Sequence, residues 1–242
     1  MKAIIIAGGE GKRLRPLTEN IPKPMVKIGG KPILEHTINL LKKHGVTEII
    51  LALCYLPQPI IDYFGDGKSF GINISYTFEN PNTPLGTAGA ILPSKDFINN
   101  TCIVTYADTL RDLNITKMLE EHRLSKSVAT LNVYKHTGEN FKSSIVFDDN
   151  KKLVKFEELE KSTTLKEGFV WSNGSFYIIE PEIISYIKKD TPTDFARDVF
   201  PNLLKDEKIV SVFPSTEYFI DIGTLETLER AEQDIKDKKI IL

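Results

Sequence analysis

Residues 7 to 24 read AGGEGKRLRPLTENIPKP, setting Gly8, Gly9 and Gly11 directly beside Lys12, Arg13 and Arg15 and placing Lys23 between Pro22 and Pro24. Glycines adopt backbone angles that other residues resist, so the N–H groups of this turn can approach a ligand closely. The two arginines add fixed charge, and the flanking prolines restrict the loop that carries Lys23. Backbone donors and cations concentrated in this way suit a polyanionic phosphate, and the chemistry points to a nucleoside triphosphate. The string is neither the dinucleotide GxGxxG nor the P-loop GxxxxGK[ST], which disfavours those two mechanisms. Taken alone, a Gly-rich turn between a strand and a helix is also a common connection in α/β proteins. A second candidate is Asp108, delivered by the run TCIVTY to the carboxyl end of an expected strand, where open α/β sheets bind ligands. An Asp in that place also serves as a turn or cap residue.

These groups need a scaffold, and the chain alternates strand-like and helix-like segments as a mostly parallel sheet covered by helices does. Ala3 to Ala7 is a short Ile-rich run with the composition of a strand buried on both faces. Helical spacing over Ile33 to Lys43 stops at Gly45. Strands follow at Glu48–Cys54, Asn73–Phe78 and Thr101–Tyr106, with helices expected near Pro59–Phe64, from Ala88 to Leu92, and over 113–125, where Asn114 or Thr116 serves as cap. After Ser127 the rhythm turns to β segments at 128–134, 144–148 and 170–179, then helices near 181–188 and 195–204.

Composition sets bounds on partners. The 242 residues, 41% hydrophobic, suffice for one large α/β domain, and 31 Lys plus Arg against 33 Asp plus Glu leave a net charge of -2. That balance argues against a nucleic-acid partner or a polybasic membrane anchor. Cys54 and Cys102 form no CxxC pair and read as buried thiols of a cytoplasmic protein. Neither a signal peptide nor a run of roughly 20 apolar residues is expected. No Ser-His-Asp or Cys-His constellation is evident, and the four His are scattered.

The stretch GGEGKRLRPLT, followed by PKPM, PLGTAGA at 84–90, Asp108 at its strand end and YFIDIGT at 218–224, resembles the sugar-1-phosphate nucleotidyltransferases, whose usual signature is GGxGTRLxPLT with a downstream KPM. Lys12 stands where the family has Thr. The resemblance spans most of the chain and implies a single domain over 1–242, with a nucleotide-binding half at 1–126 and a sugar-phosphate-binding half at 127–242. It implies a Rossmann-like mixed, mostly parallel sheet flanked by helices, the nucleotide-diphospho-sugar transferase fold, without the C-terminal β-helix some members append. Its partners would be a nucleoside triphosphate and a sugar 1-phosphate; a homo-oligomer is compatible with the sequence.

By the same resemblance Mg²⁺ is the cofactor, held by Asp108 and Asp221, and Arg13, Lys23 and Asp108 are catalytic. Ala107 replaces the family's Gly before Asp108. The nucleotide would lie against Ala7, Gly8, Gly9, Gly11, Lys12 and Arg13, with Gly86 and Thr87 of PLGTAGA and Glu79 beside the base. A carboxylate only accepts hydrogen bonds and guanine offers two adjacent N–H donors, so Glu79 tilts the reading towards GTP, with an exposed loop Glu as the plainer alternative.

The sugar side departs from the family. Its EKP motif becomes Glu158-Leu159-Glu160, its aromatic-Gly-Val-Val segment becomes Lys142-Ser143-Ser144-Ile145, and only the Asn of its NAG motif persists, as Asn173. Ser143, Glu158, Asn173 and Arg197 are therefore the candidate sugar-phosphate residues, with Lys142, Lys155, Lys161 or Arg197 standing in for the missing lysine. The leading expectation is GTP with mannose or another manno-configured sugar 1-phosphate, feeding polysaccharide synthesis. A UTP, dTTP or CTP enzyme is the runner-up. A catalytically silent nucleotide sensor is the alternative from another class.

Overall fold

The Ile-rich run at the amino terminus is a strand, Lys2–Ile6, in which Ala3, Ile4 and Ile5 are fully buried. A computed structural model of the chain describes residues 1–137, 141–163, 165 and 167–240, with side chains at all of these except 160–163. The described residues form an α/β fold with a mixed, mostly parallel sheet flanked by helices. None of its helices is long and apolar enough to cross a membrane.

The chain divides into two compact units built from interleaved stretches. The first comprises Met1–Pro84, Thr105–Asn114 and Glu217–Leu242. In it, Lys2–Ile6 pairs in parallel with Glu48–Leu53, and that strand with Asn73–Phe78, registering Lys2 with Glu48 and Glu48 with Asn73. The helix Ile33–Lys43 buries Ile33, Leu34, Ile38 and Leu41 completely, the face its spacing predicts, and ends before Gly45. A small antiparallel pair, Thr109–Arg111 with Phe219–Asp221, registers Asp221 opposite Thr109. This pair sits on a core of Val26, Ile28, Ile33, Leu110, Ile220, Ile222, Ala231 and Ile240. Burying a side chain the size of Ile222 contributes about 2 kcal/mol, so the two isoleucines flanking Asp221 hold its strand in place.

The second unit, Leu85–Val104 and Ile115–Thr216, carries the β-rich part of the chain. Leu153–Thr163 pairs antiparallel with Phe141–Phe147, Val170–Ile179 with Ala129–His136 in the same sense, and Val210–Ser215 in parallel with Ala129–His136. Residues 217–242, counted with the second half from the sequence, belong to the first unit.

Several elements differ from the sequence reading. Leu153–Thr163 and Val210–Ser215 are strands where no element was expected. In the former the Lys and Glu content masks the strand, and its register shifts after Leu153 and after Glu158 interrupt the alternation. The segment from 88 to 92 is a one-turn helix, Gly86–Gly89, followed by a 3₁₀ stretch, Leu92–Phe97, because Pro93 removes a backbone donor. The helix expected over 195–204 starts as a π turn, Phe195–Val199, before Phe200–Lys205, and 181–188 is a 3₁₀ helix, Pro181–Tyr186.

Candidate functional site

In the first unit the glycine turn depends on Gly11, which has φ 64° and ψ 32°. A Cβ built there would stand 2.9 Å from Lys23 Cβ and 3.1 Å from Thr18 Cγ2, so both the left-handed angle and the close packing exclude a side chain. The turn is fastened on itself: the buried Thr18 hydroxyl donates to Gly11 O at 2.8 Å, and Leu14 N donates to the same carbonyl at 2.9 Å. Ala7, buried, continues the strand by donating to Ala52 O at 2.9 Å, and Gly8 lies against Cys54. Gly9 and Lys12 are exposed, and Lys12 Nζ stands 3.1 Å from Glu10 Oε2, with Arg15 at 3.9 Å from the same oxygen.

The loop between the prolines brings Lys23 back under this turn. Pro22 is extended, Met25 N donates to Pro22 O at 2.8 Å, and Lys23 opens a short 3₁₀ turn. Its ammonium donates to Asp108 Oδ2 at 2.7 Å and stands 3.8 Å from Asp221 Oδ1. The Lys23 side chain is only 11% exposed, so this pairing is screened far less than a surface ion pair.

Asp108 and Asp221, remote in sequence, meet because their backbones pair. Ile222 N donates to Asp108 O at 2.9 Å beside the Thr109–Asp221 register. Just beyond, Thr224 caps the helix Leu225–Lys236: Thr227 N donates to its hydroxyl at 3.2 Å, and Thr224 N donates to Thr227 Oγ1 at 3.0 Å. Gly223 lies directly beneath Arg13, since a Cβ there would be 2.9 Å from its Nη2. Arg13, Gly11, Lys23, Asp108 and Asp221 thus share one rim of the first unit.

Among the described residues no group of three or more His, Cys, Asp or Glu could hold a metal ion. Two carboxylates are nevertheless the oxygen donors that Mg²⁺ takes when substrate phosphates complete its shell. The donor set fits an ion that arrives with a triphosphate, and it does not fit a preformed all-protein cage. Glu79, half-buried, follows the strand Asn73–Phe78 and donates its N–H to Leu53 O at 2.9 Å. Burial, then the charges of Glu79 and Glu10, pushes the nearby Cys54 thiol up, which leaves it a poor nucleophile at neutral pH.

In the second unit Gly86 and Thr87 open a helical turn fastened to residues 193–195. Ala88 N and Gly89 N donate to Thr193 O at 2.9 and 3.1 Å, while the Thr87 hydroxyl donates to Asp194 Oδ2 at 2.6 Å and accepts from Phe195 N at 3.1 Å. Asp194 in turn accepts from Ala196 N at 2.8 Å with its other oxygen. The Thr87 side chain therefore has a local structural task. Sequence reasoning missed Asp194, whose place just before Phe195–Val199 is the usual signature of a helix cap.

The remaining candidates gather on one face of the second unit's sheet. Ser143 registers with Glu158, and Asn173 N donates to Ser143 Oγ at 2.9 Å. A register shift between Asn173 and Tyr177 turns Asn173, whose amide donates to the Tyr177 hydroxyl at 2.8 Å. Burial first, then Asp194, pushes the Glu158 carboxyl above its ordinary range, against the opposing pull of Arg197 and Lys142. Arg197 and Lys142 are thereby the cations whose charge acts on Glu158, although Lys142, next to Ser143 in its strand, projects from the opposite face. Lys155 instead ion-pairs with Glu157 at 3.0 Å; strand alternation puts both on the opposite face from Glu158. The side chain of Lys161 lies outside the described residues.

The chain matches the nucleotidyl transferase family model over residues 2–238. It is 33% identical, across 99% of its length, to a UTP--glucose-1-phosphate uridylyltransferase of Synechocystis sp., of which it covers 64%. It is 34% identical to the D-glycero-alpha-D-manno-heptose 1-phosphate guanylyltransferase of Campylobacter jejuni, with 93% of this chain and 96% of that protein covered. The chain thus spans under two thirds of the first of these relatives and nearly all of the second. Among solved structures, HddC from Yersinia pseudotuberculosis complexed with GMP-PN is similar at a TM-score of 0.80 and 30% identity, covering 97% of this chain and 99% of that one.

Proposed function

The chain belongs to the nucleotidyl transferase family, and from that premise we propose that it transfers a nucleoside monophosphate from a nucleoside triphosphate to a sugar 1-phosphate, releasing pyrophosphate. The observation that carries this reading is the convergence of Arg13, Lys23, Asp108 and Asp221 on one rim beside the Gly8–Gly11 turn. Phosphoryl transfer needs positioning and charge neutralisation more than covalent help from the protein, and this set supplies both. Backbone donors from Gly8 to Gly11, with Lys12, hold the phosphates. Arg13 grips them before and during reaction, and Lys23 meets the charge that develops on the departing pyrophosphate.

Asp108 and Asp221 would hold Mg²⁺, which when bound supplies Lewis-acid neutralisation of the phosphate oxygens. A phosphate oxygen of the sugar 1-phosphate attacks the α-phosphorus, a new P–O bond forms, and the bond to pyrophosphate breaks. The dianion is already a nucleophile near neutral pH, so no general base is required. Ser143, Glu158 and Asn173 would receive the sugar hydroxyls, with Arg197 on the sugar phosphate in the role of the missing lysine.

For the substrates we propose GTP with a manno-configured sugar 1-phosphate, for which a heptose is the leading candidate. Glu79 supports guanine as an acceptor-only group, and the full-length similarity to the heptose 1-phosphate guanylyltransferase points the same way. The similarity to the uridylyltransferase favours UTP with glucose 1-phosphate as the second reading. A pyrophosphate-release panel crossing GTP, UTP, dTTP and CTP with mannose, glucose and manno-heptose 1-phosphates tests both. GTP turnover on a manno-configured acceptor is the expected result; turnover on UTP and glucose 1-phosphate alone refutes the leading assignment. Nucleotide binding without pyrophosphate release from any pair would identify a sensor.

A further inference from the structure

Lys23 carries one ammonium, and two tasks claim it. The nucleotide reading sends it to the phosphates, yet in the structure it lies 2.7 Å from Asp108 Oδ2 and 3.8 Å from Asp221 Oδ1, on the oxygens proposed for the metal. Mg²⁺ takes oxygen ligands at about 2.0–2.1 Å, so an ammonium in hydrogen-bond contact with Asp108 occupies the bay an ion would enter. The two positive charges also repel, and with the Lys23 side chain 11% exposed little water screens them.

We propose that Lys23 is the resident counter-ion of Asp108 and Asp221, and that a triphosphate opens this carboxylate pair to metal by drawing the ammonium onto its phosphates. The inference rests on the reading of the two aspartates as metal ligands. Without nucleotide the bay has two carboxylates and one lysine, a net charge of -1, which attracts a divalent ion weakly. Once the ammonium swings away the bay returns to -2. The journey is short, because Lys23 packs against the very turn expected to bind the phosphates: the Cβ position of Gly11 is 2.9 Å from Lys23 Cβ. Its backbone stays anchored through the Met25 N to Pro22 O bond, so only the side-chain stem needs to move. Metal and triphosphate would then promote each other's binding by the same factor, as linkage requires.

The test is Mn²⁺ binding to nucleotide-free protein, followed by the paramagnetic resonance of the free ion. Lys23→Met and Lys23→Gln should each bind Mn²⁺ about tenfold more tightly than the wild type, within the range usual for coupled sites. Lys23→Arg should stay near the wild type, and Asp108→Asn placed on Lys23→Met should erase the gain. Affinities of both neutral variants equal to or weaker than the wild type, with intact thermal transitions, would overturn the proposal. A measurement needing no variant is the ¹⁵N resonance of the Lys23 ammonium on adding a metal-free, non-hydrolysable triphosphate: a shift supports the swing, and an unmoved signal refutes it. A separate arm tests the underlying reading. If Asp108→Asn holds Mn²⁺ with the triphosphate as well as the wild type does, the metal assignment itself falls; if it loses the ion while the Lys23 variants are unmoved, only the counter-ion role falls.

Discussion

Gly223→Ala isolates the contribution of Arg13 without touching its chemistry. The new methyl carbon would meet Arg13 Nη2 at 2.9 Å and its Cζ at 3.3 Å. Ordinary contact begins near 3.4 Å, so the guanidinium must yield by about 0.5 Å, easily done at the end of a long side chain. A displacement of 1 Å in a reacting assembly costs about a hundredfold, so half that distance predicts a loss of roughly tenfold in kcat/KM, or about 1.4 kcal/mol. Fold stability should hold or rise by about 0.4–1 kcal/mol, because Gly223 has no left-handed angle and alanine restricts the unfolded chain. The assay is steady-state pyrophosphate release for wild type, Gly223→Ala, Arg13→Ala and the double variant, with thermal unfolding of each. If the methyl acts through Arg13, Gly223→Ala should cost almost nothing further in the Arg13→Ala background. Additive losses, or a loss that follows the melting temperature, would refute the reasoning.

Asp108→Asn and Asp221→Asn should each lower kcat by about a thousandfold with the fold intact, since several kcal/mol of charge stabilisation disappear at constant volume; near-normal turnover at ordinary Mg²⁺ removes that residue from the site. Thr87→Val should lower stability by about 1–3 kcal/mol in denaturant titration, because Asp194 and the Phe195 N–H both lose their partner; unaltered stability would leave the hydroxyl free for a ligand role. Burial raises the Glu158 carboxyl, so the folded state holds that proton more tightly, and ionisation costs stability as pH climbs above the ordinary 4.5. Glu158→Gln should therefore raise the melting temperature at pH 7 to 8 and lose that advantage near pH 4; a gain that persists at pH 4 contradicts the burial account.

Local chemistry was legible along the chain. The Ile-rich strand, the Gly11 turn and the amphipathic helix at Ile33–Lys43 follow from rules that act within a few residues, and the order of motifs sufficed to point to the family. Leu153–Thr163 was not legible, because its lysines and glutamates suit a helix and its strand state depends on partners supplied by Phe141–Phe147. The choice among substitute cations was equally hidden: Lys142, Lys155 and Arg197 read alike in sequence, and only the paired strands show that alternation carries Lys155 away from Glu158, while the packing of residues 194–197 brings the Arg197 charge to bear on it. Asp108 and Asp221 are each unremarkable as single residues. The sequence alone determined which charged and flexible groups exist and which local elements carry them. Only the tertiary structure decided that Ile222 bonds to Asp108, that Lys23 lies between the two carboxylates and that Arg13 rests on Gly223, because electrostatic and steric coupling act over a few ångströms of space, whatever the separation along the chain.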